Sequence, residues 1–420
     1  MASKEIRLRK KKGFNIDLML SSLSKARTIN PDGSLRLSGF GVLEEFESYF
    51  RSSIEIDGKT DAFVRTIVKK AMHTKQDLTE GEFIKHCKRI AYKAIQKDQR
   101  DFRVLFPIWG SLKPLSGRRR WGDVSITFDI HKSSRFAQRA MKDRAEQLAA
   151  HENSPHAIPS GMQNLPLAMC SVKGIDVFDA FEQAESAISK ELGLYSLTSS
   201  RGKHILSSNS DRPVNTILLA PHMTVHDQTG AISTGTFWYN RWPGDFSNKQ
   251  RTDEEVGAII RNSEAVRNRL RKLPWRAEAE LALVRHYSAF AQCDLESSFL
   301  DGWRLLEAIA GHPREKSETL VNRASWFFAE TDEQYQIGLH LLERRNLISH
   351  GRAIKETDNE GLAFQMKGFL TPLLHAFLMN PFNLKSREEF WAFCDLPVDK
   401  RNRTRQAYLL SCASKFRREE

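Results

Sequence analysis

Paired cysteines, long apolar runs and the common nucleotide-binding loops are all missing from this chain of 420 residues. Its five cysteines, Cys87, Cys170, Cys293, Cys394 and Cys412, are scattered, odd in number and never in a C-x-x-C pair. That spacing argues for a reducing, cytoplasmic setting and against a disulfide framework or a structural zinc site. Buried free thiols are the expectation. No apolar run reaches the roughly 18 residues that a membrane helix needs, so no membrane partner is expected. The opening stretch "MASKEIRLRKKKGF" is basic but lacks the apolar segment of a signal peptide. No Walker loop, dinucleotide-binding glycine pattern or nucleophile elbow is present, which leaves nucleotide-driven and acyl-transfer chemistry without support. No cofactor is expected.

Negative charge is scarce in one place only. Residues 1–150 hold 31 Lys and Arg against 18 Asp and Glu, an excess of 13 positive charges. Residues 151–420 hold 33 against 34. The net charge of +12 therefore resides in the first third, and such asymmetry points to a polyanionic partner while saying nothing about fold. With 40% hydrophobic residues, 25 Phe and 8 Trp, the chain has material for real cores.

Periodicity sorts the chain into four regions. Residues 1–150 read as a basic, mixed α/β region. "GVLEEFESYF", "DAFVRTIVKKAM" and "EFIKHCKRIAYKAI" have helical spacing. "FRVLFPIWG" and the alternating "VSITFDI" flank the turn-like "KPLSGRRR" and predict a β-hairpin with Arg118, Arg119 and Arg120 at its tip. A polar helix follows over about 134–150. The Pro-, Ser- and Asn-rich stretch 151–173 marks a boundary. Residues 151–274 then read as a second α+β region that ends in a long helix capped by Thr252. From Trp275 strand signals vanish, and helices are predicted at about 276–292, 295–311, 317–330, 332–349 and 361–378, the pattern of a bundle. A basic, helical tail occupies 381–420. The fold class expected is α+β, with a mixed N-terminal region followed by an all-α C-terminal bundle.

His222 and His226 have an H-x-x-x-H spacing, but in a strand positions i and i+4 lie about 13 Å apart, so no metal is expected there. The pair His86–Cys87 has no companion motif. The basic runs 7–12 and 117–122 suit phosphate contacts, and an arginine-tipped hairpin beside Trp121 suits an RNA backbone with an unstacked base. A solvated basic loop is the plainer alternative.

The stretch "ERRNLISHG" at 343–351 gathers basic and titratable groups at the end of a predicted helix. Basic residues near a helix end and a Gly stop are an ordinary way to finish a helix. Upstream, "DLESSFLDGWRLLEAIAG" carries Phe299, Trp303, Leu306 and Ile309 at helical spacing, with Glu307 beside that stripe. Together the two stretches resemble the HEPN superfamily, in its ApeA-like branch. There a helix with an aromatic, a Trp and a Leu-Glu pair precedes a helix ending in Arg-x4-His-Gly. The matching residues are Phe299, Trp303, Leu306 and Glu307, then Arg345 to His350 and Gly351, with Asn346 as the polar residue after the Arg. The resemblance covers about 276–380, a quarter of the chain.

The resemblance implies a helical bundle that cleaves RNA without a metal, as a homodimer in which both chains contribute to one site. Defence against phage or toxin-like growth arrest is the setting it implies. Glu307, Arg345, Asn346 and His350 are the catalytic candidates, and Arg344 joins Arg118, Arg119 and Arg120 as RNA-binding candidates. The chemistry of the residues is consistent with this. An imidazole titrates near neutrality and suits general acid–base work, and a guanidinium suits charge on a phosphorane. Geometry adds that Arg345 and His350, five residues apart, diverge by about 140° around a helix. They converge only if the helix unwinds at Ser349 or a second chain completes the site. Asn346 and His350 share a face. Residues 276–380 hold 11 Lys and Arg against 15 Asp and Glu, so the bundle is itself acidic and leaves substrate delivery to the basic region. The rival readings are a non-catalytic dimerisation module and a nucleic-acid-binding regulator.

Overall fold

The computed structural model describes residues 6–29, 35–37, 40–74, 77–110, 117–128, 130, 134–150, 165–200, 212–240, 252–312, 314–351 and 359–416. Two hydrophobic cores divide them.

The first core belongs to an N-terminal helical unit. Its elements are β1 (Leu8–Lys10), α1 (Ile16–Lys25), β2 (Arg27–Ile29), β3 (Leu35–Leu37), α2 (Phe40–Ser53), β4 (Ile54–Ile56), α3 (Asp61–Met72) and α4 (Glu80–Lys93). β1 pairs with β4 and β2 with β3, both antiparallel. α4 starts with a capping box between Thr79 and Glu82, which satisfies two helix-end donors at once. Ile16, Phe50, Phe63, Ile67 and Phe83 fill the centre, and Ile175, far along the chain, completes it.

The second core begins with β5 (Arg100–Trp109), β6 (Arg118–Trp121), β7 (Val124–Phe128), α5 (Arg135–Ala150), β8 (Leu167–Gly174), α6 (Val177–Ser196), β9 (Leu218–Leu219) and β10 (Thr224–His226). The strands form one curled antiparallel sheet in the order β10-β5-β8-β7-β6, with β9 pairing the far end of β5. Alternation decides the faces. Phe102, Val104, Phe106 and Ile108 of β5 point inward with Ile126, Phe128 and Cys170, where they meet Ala180, Phe181, Ala184 and Ile188 of α6.

The rest is helical: α7 (Asp253–Leu270), α8 (Arg276–Phe290), α9 (Leu295–Ala310), α10 (Ser317–Ser325), α11 (Thr331–Ser349), α12 (Asn359–Met379), α13 (Arg387–Cys394) and α14 (Lys400–Phe416). α6 is shared between layers, since it covers the sheet and packs against α8. At Gly193 a Cβ would lie 2.6 Å from Leu283 O, so only glycine permits that approach.

The α+β class is as expected, with a mixed N-terminal half and a helical C-terminal one. Five details differ. The arginines of 118–120 are a strand, not a hairpin tip; the turn of the β6–β7 hairpin is at Gly122–Asp123. β5 does not pair with β7, because β8 lies between them in the sheet and pairs with both. The expected boundary at 151 consequently falls between strands of one sheet, and the break between cores lies near residue 100. The segment 381–420 is also not uniform: Phe390 and Cys394 of α13 are buried in the main core, whereas α14 buries no residue. The helix expected at 317–330 stops at Ser325, where Trp326 turns away and donates to Leu396 O.

Candidate functional site

α9 and α11 build the first candidate site. Asp294 caps α9 by accepting from the backbone N–H groups of Glu296 and Ser297. The stripe of Phe299, Trp303, Leu306 and Ile309 is fully buried, as its spacing predicts. α11 is held against α10 and α12 at Gly338, which has no side chain to keep Val321 and Phe369 away.

Side chains from the two helices meet at Glu307. Its Oε1 accepts from Trp303 Nε1 at 2.8 Å and from Arg345 Nη2 at 3.1 Å. Arg345 Nη1 in turn donates to Asn346 Oδ1 at 3.2 Å. The buried indole fixes the carboxylate, and the carboxylate aims the guanidinium. The Glu307 and Arg345 side chains are each about one third exposed, so a ligand phosphate has access to the arginine.

α11 keeps its regular form to its end. His350 N donates to Asn346 O at 3.1 Å, and Gly351, with φ of +67°, closes the helix through its own bond to Ile348 O. His350 is the C-cap and Gly351 the left-handed stop, which is also what the plainer reading of this stretch expects. The helix does not unwind at Ser349. The His350 ring is exposed and hydrogen-bonds to no other described residue. Of the residues singled out from sequence, the fold therefore joins Glu307, Arg345 and Asn346, leaves His350 at the helix end, and sets Arg344 half-buried on the same last turns.

Arg118, Arg119 and Arg120 lie elsewhere. They line a cleft of 1110 Å³ to which neither α9 nor α11 contributes a lining residue. Arg103 of β5, Lys173 of β8, Lys59 from the loop before α3, Arg267 of α7 and Arg271, the C-cap of that helix, join them. This grouping is hard to read from sequence, because its members are spread from 59 to 271. One signal was present: Arg103 interrupts the apolar run of β5 at an outward position.

The remaining candidates are structural. His226 is buried, with Nε2 against Thr224 Oγ1 and Nδ1 against Gly230 O, both at 2.9 Å. His222 is buried against the Phe237 ring, 4.5 Å between centroids, with φ of +69°. Among the described residues no group of three or more His, Cys, Asp or Glu is arranged to hold a metal ion. Four cysteines are buried and Cys412 is exposed. Burial pushes the Cys87 and Cys394 thiols up to about 12, which leaves them unreactive at neutral pH. His86 contacts Arg89 on the α4 surface. No described helix is long and apolar enough to cross a membrane.

Comparison with family models, with curated proteins and with solved structures finds no match to this chain.

Proposed function

We propose that this protein is an endoribonuclease of HEPN type that acts as a homodimer. The observation that carries the reading is the relay from the buried Trp303 indole through the Glu307 carboxylate of α9 to the Arg345 guanidinium of α11, the helix that ends in an exposed His350. In the proposed reaction an imidazole takes the 2′-OH proton, O2′ bonds to phosphorus and the P–O5′ bond breaks. A second, protonated imidazole returns a proton to O5′. The products are a 2′,3′-cyclic phosphate and a 5′-hydroxyl. Arg345 stabilises charge on the phosphorane oxygens, and Asn346, one turn before His350, orients the ring or donates to phosphate.

Two imidazoles are needed, and one chain supplies one at this site. α11 stays helical through Ser349, so Arg345 and His350 of one chain diverge. A symmetric pairing of two α11 ends supplies both protonation states and both arginines. Arg344 is proposed to contact RNA phosphate at the same end. The setting, a cytoplasmic enzyme of phage defence or growth arrest, rests on the resemblance and on the unpaired cysteines.

The test is RNA incubated with the protein in EDTA. Cleavage leaving cyclic phosphate ends is expected, together with a dimer mass in solution. A second reading, a non-catalytic dimerisation bundle, draws on His350 and Gly351 forming an ordinary helix stop. Dimers without cleavage would favour it.

A further inference from the structure

The cleft along β6 is independent of the proposed nuclease site, and its chemistry is specific. We infer that it is a binding site for a compact ligand carrying two or more linked phosphates.

Eight Lys and Arg and four Asp and Glu line it, an excess of four positive charges. Three of the four carboxylates are already engaged: Asp101 by Gln228, Asp123 by Arg120 and Asp179 by Thr60. The floor is built rather than incidental. Glu191 of α6 is fully buried, and its carboxylate accepts from Trp121 Nε1 at 2.8 Å and from Arg267 Nη2 at 2.6 Å. Arg119 Nε stands 3.5 Å from the same carboxylate. One buried anion thus fixes two guanidiniums, whose side chains are only 22% and 14% exposed, and leaves a positive charge in excess. The Nε hydrogens of both arginines are buried and lack an acceptor among the described residues.

The sheet supplies the wall. Arg103, Ser171, Ser125 and Arg120 are successive register partners across β5, β8, β7 and β6, so they share one face. Two small hydroxyl residues separate two arginines by three strand spacings, roughly 14 Å. Arg118 Nε donates to Ser125 Oγ at 2.7 Å and is held beside that row.

Two features choose the ligand. Among the described residues no Phe, Tyr or Trp lines the cleft, so none of them offers a platform for a base and recognition falls on phosphates. The arginines fixed by Glu191 are recessed, so they meet an anion that enters the cleft end-on rather than a strand lying across its rim. The volume, at the upper end of the usual range for small-molecule sites, admits a nucleotide-sized ligand. A single RNA strand is the rival occupant.

Full-length protein at physiological salt would be titrated with inorganic triphosphate, reading heat and melting temperature. One triphosphate per chain and a raised melting temperature are expected, with a nucleoside triphosphate within a few-fold and an uncharged nucleoside silent. Arg120→Ala with Arg271→Ala, which leave the Glu191 cluster untouched, should weaken binding at least tenfold. Arg401→Ala with Arg405→Ala on α14 should change nothing. Absence of saturable binding overturns the inference, as does equal loss in the α14 pair, which would mean general charge attraction. So does a 2′-O-methyl RNA dodecamer that displaces triphosphate at tenfold lower concentration, since the cleft would then be an RNA groove. None of these outcomes depends on whether the protein cleaves RNA.

Discussion

Trp303 opens the relay to Glu307 and Arg345 while His350 stands outside it at the end of α11, so their substitutions separate chemistry from packing. His350 is exposed and its ring hydrogen-bonds to no described residue, so His350→Ala should leave melting and dimer mass unchanged. Cleavage of RNA should fall by about 10²–10⁴-fold, the usual loss of a proton-transfer group. Wild-type cleavage by that variant would return His350 to the role of a helix stop. Trp303 is 1% exposed, and Trp303→Ala should cost about 3–5 kcal/mol in denaturant unfolding. Trp303→Phe is the sharper test. It keeps a ring in the core but removes the donor that holds Glu307, so cleavage should drop more steeply than stability.

At the scale of elements, α11 is positioned by what it lacks. A Cβ at Gly338 would lie inside the van der Waals limit of Val321 and 2.7 Å from Phe369 Cζ. On propensity alone Gly338→Ala favours the helix by about 1 kcal/mol. Overpacking of about 1–3 kcal/mol should outweigh that gain and push α11, with Arg345, away from Glu307. A lower melting temperature together with slower cleavage is expected; a stabilised variant would mean that α11 shifts freely.

The helices of the bundle were legible in the sequence because apolar spacing of 3.6 residues needs no knowledge of partners. The stripe of α9 and the cap at Thr252 are local facts of that kind. The sheet was less legible. A strand's partner is set by long-range pairing, and β8 enters between β5 and β7 from more than 35 residues away. Reading "FRVLFPIWG" and "VSITFDI" as neighbours was the natural local choice and the wrong one. The cleft inherits the same difficulty, since Arg267 joins Arg119 only through a buried carboxylate on a third element. At the α9–α11 site, Glu307 and Arg345 are 38 positions apart, yet each was marked by its own helix.

Over the whole molecule, buried imidazoles set the response to acid. Burial, aided by the nearby Lys367 charge, holds His286 well below its ordinary value of 6.5, and burial also lowers His226. Above 6.5 these rings are neutral in both folded and unfolded chains, and stability is complete. Below 6.5 the unfolded chain takes protons that the folded one refuses, so stability is lost as pH falls. Melting temperature should therefore decline between pH 7.5 and 5.5, and His286→Phe should flatten the decline. An unchanged slope in that variant would transfer the effect to other groups.

Among the described residues of the second region, Ile175 is the one buried in the N-terminal core. It stands beside Asp176, which accepts from Thr66, and near Glu182, which accepts from the backbone of Ala62. On the ribosome, helices α1 to α4 emerge long before these partners exist. The 84 residues between Asp98 and Glu182 take about 4 to 17 seconds to translate at 5–20 residues per second. Through that interval the N-terminal unit lacks Ile175 and the acceptors Asp176 and Glu182, so its closure is expected to coincide with the arrival of β8 and α6.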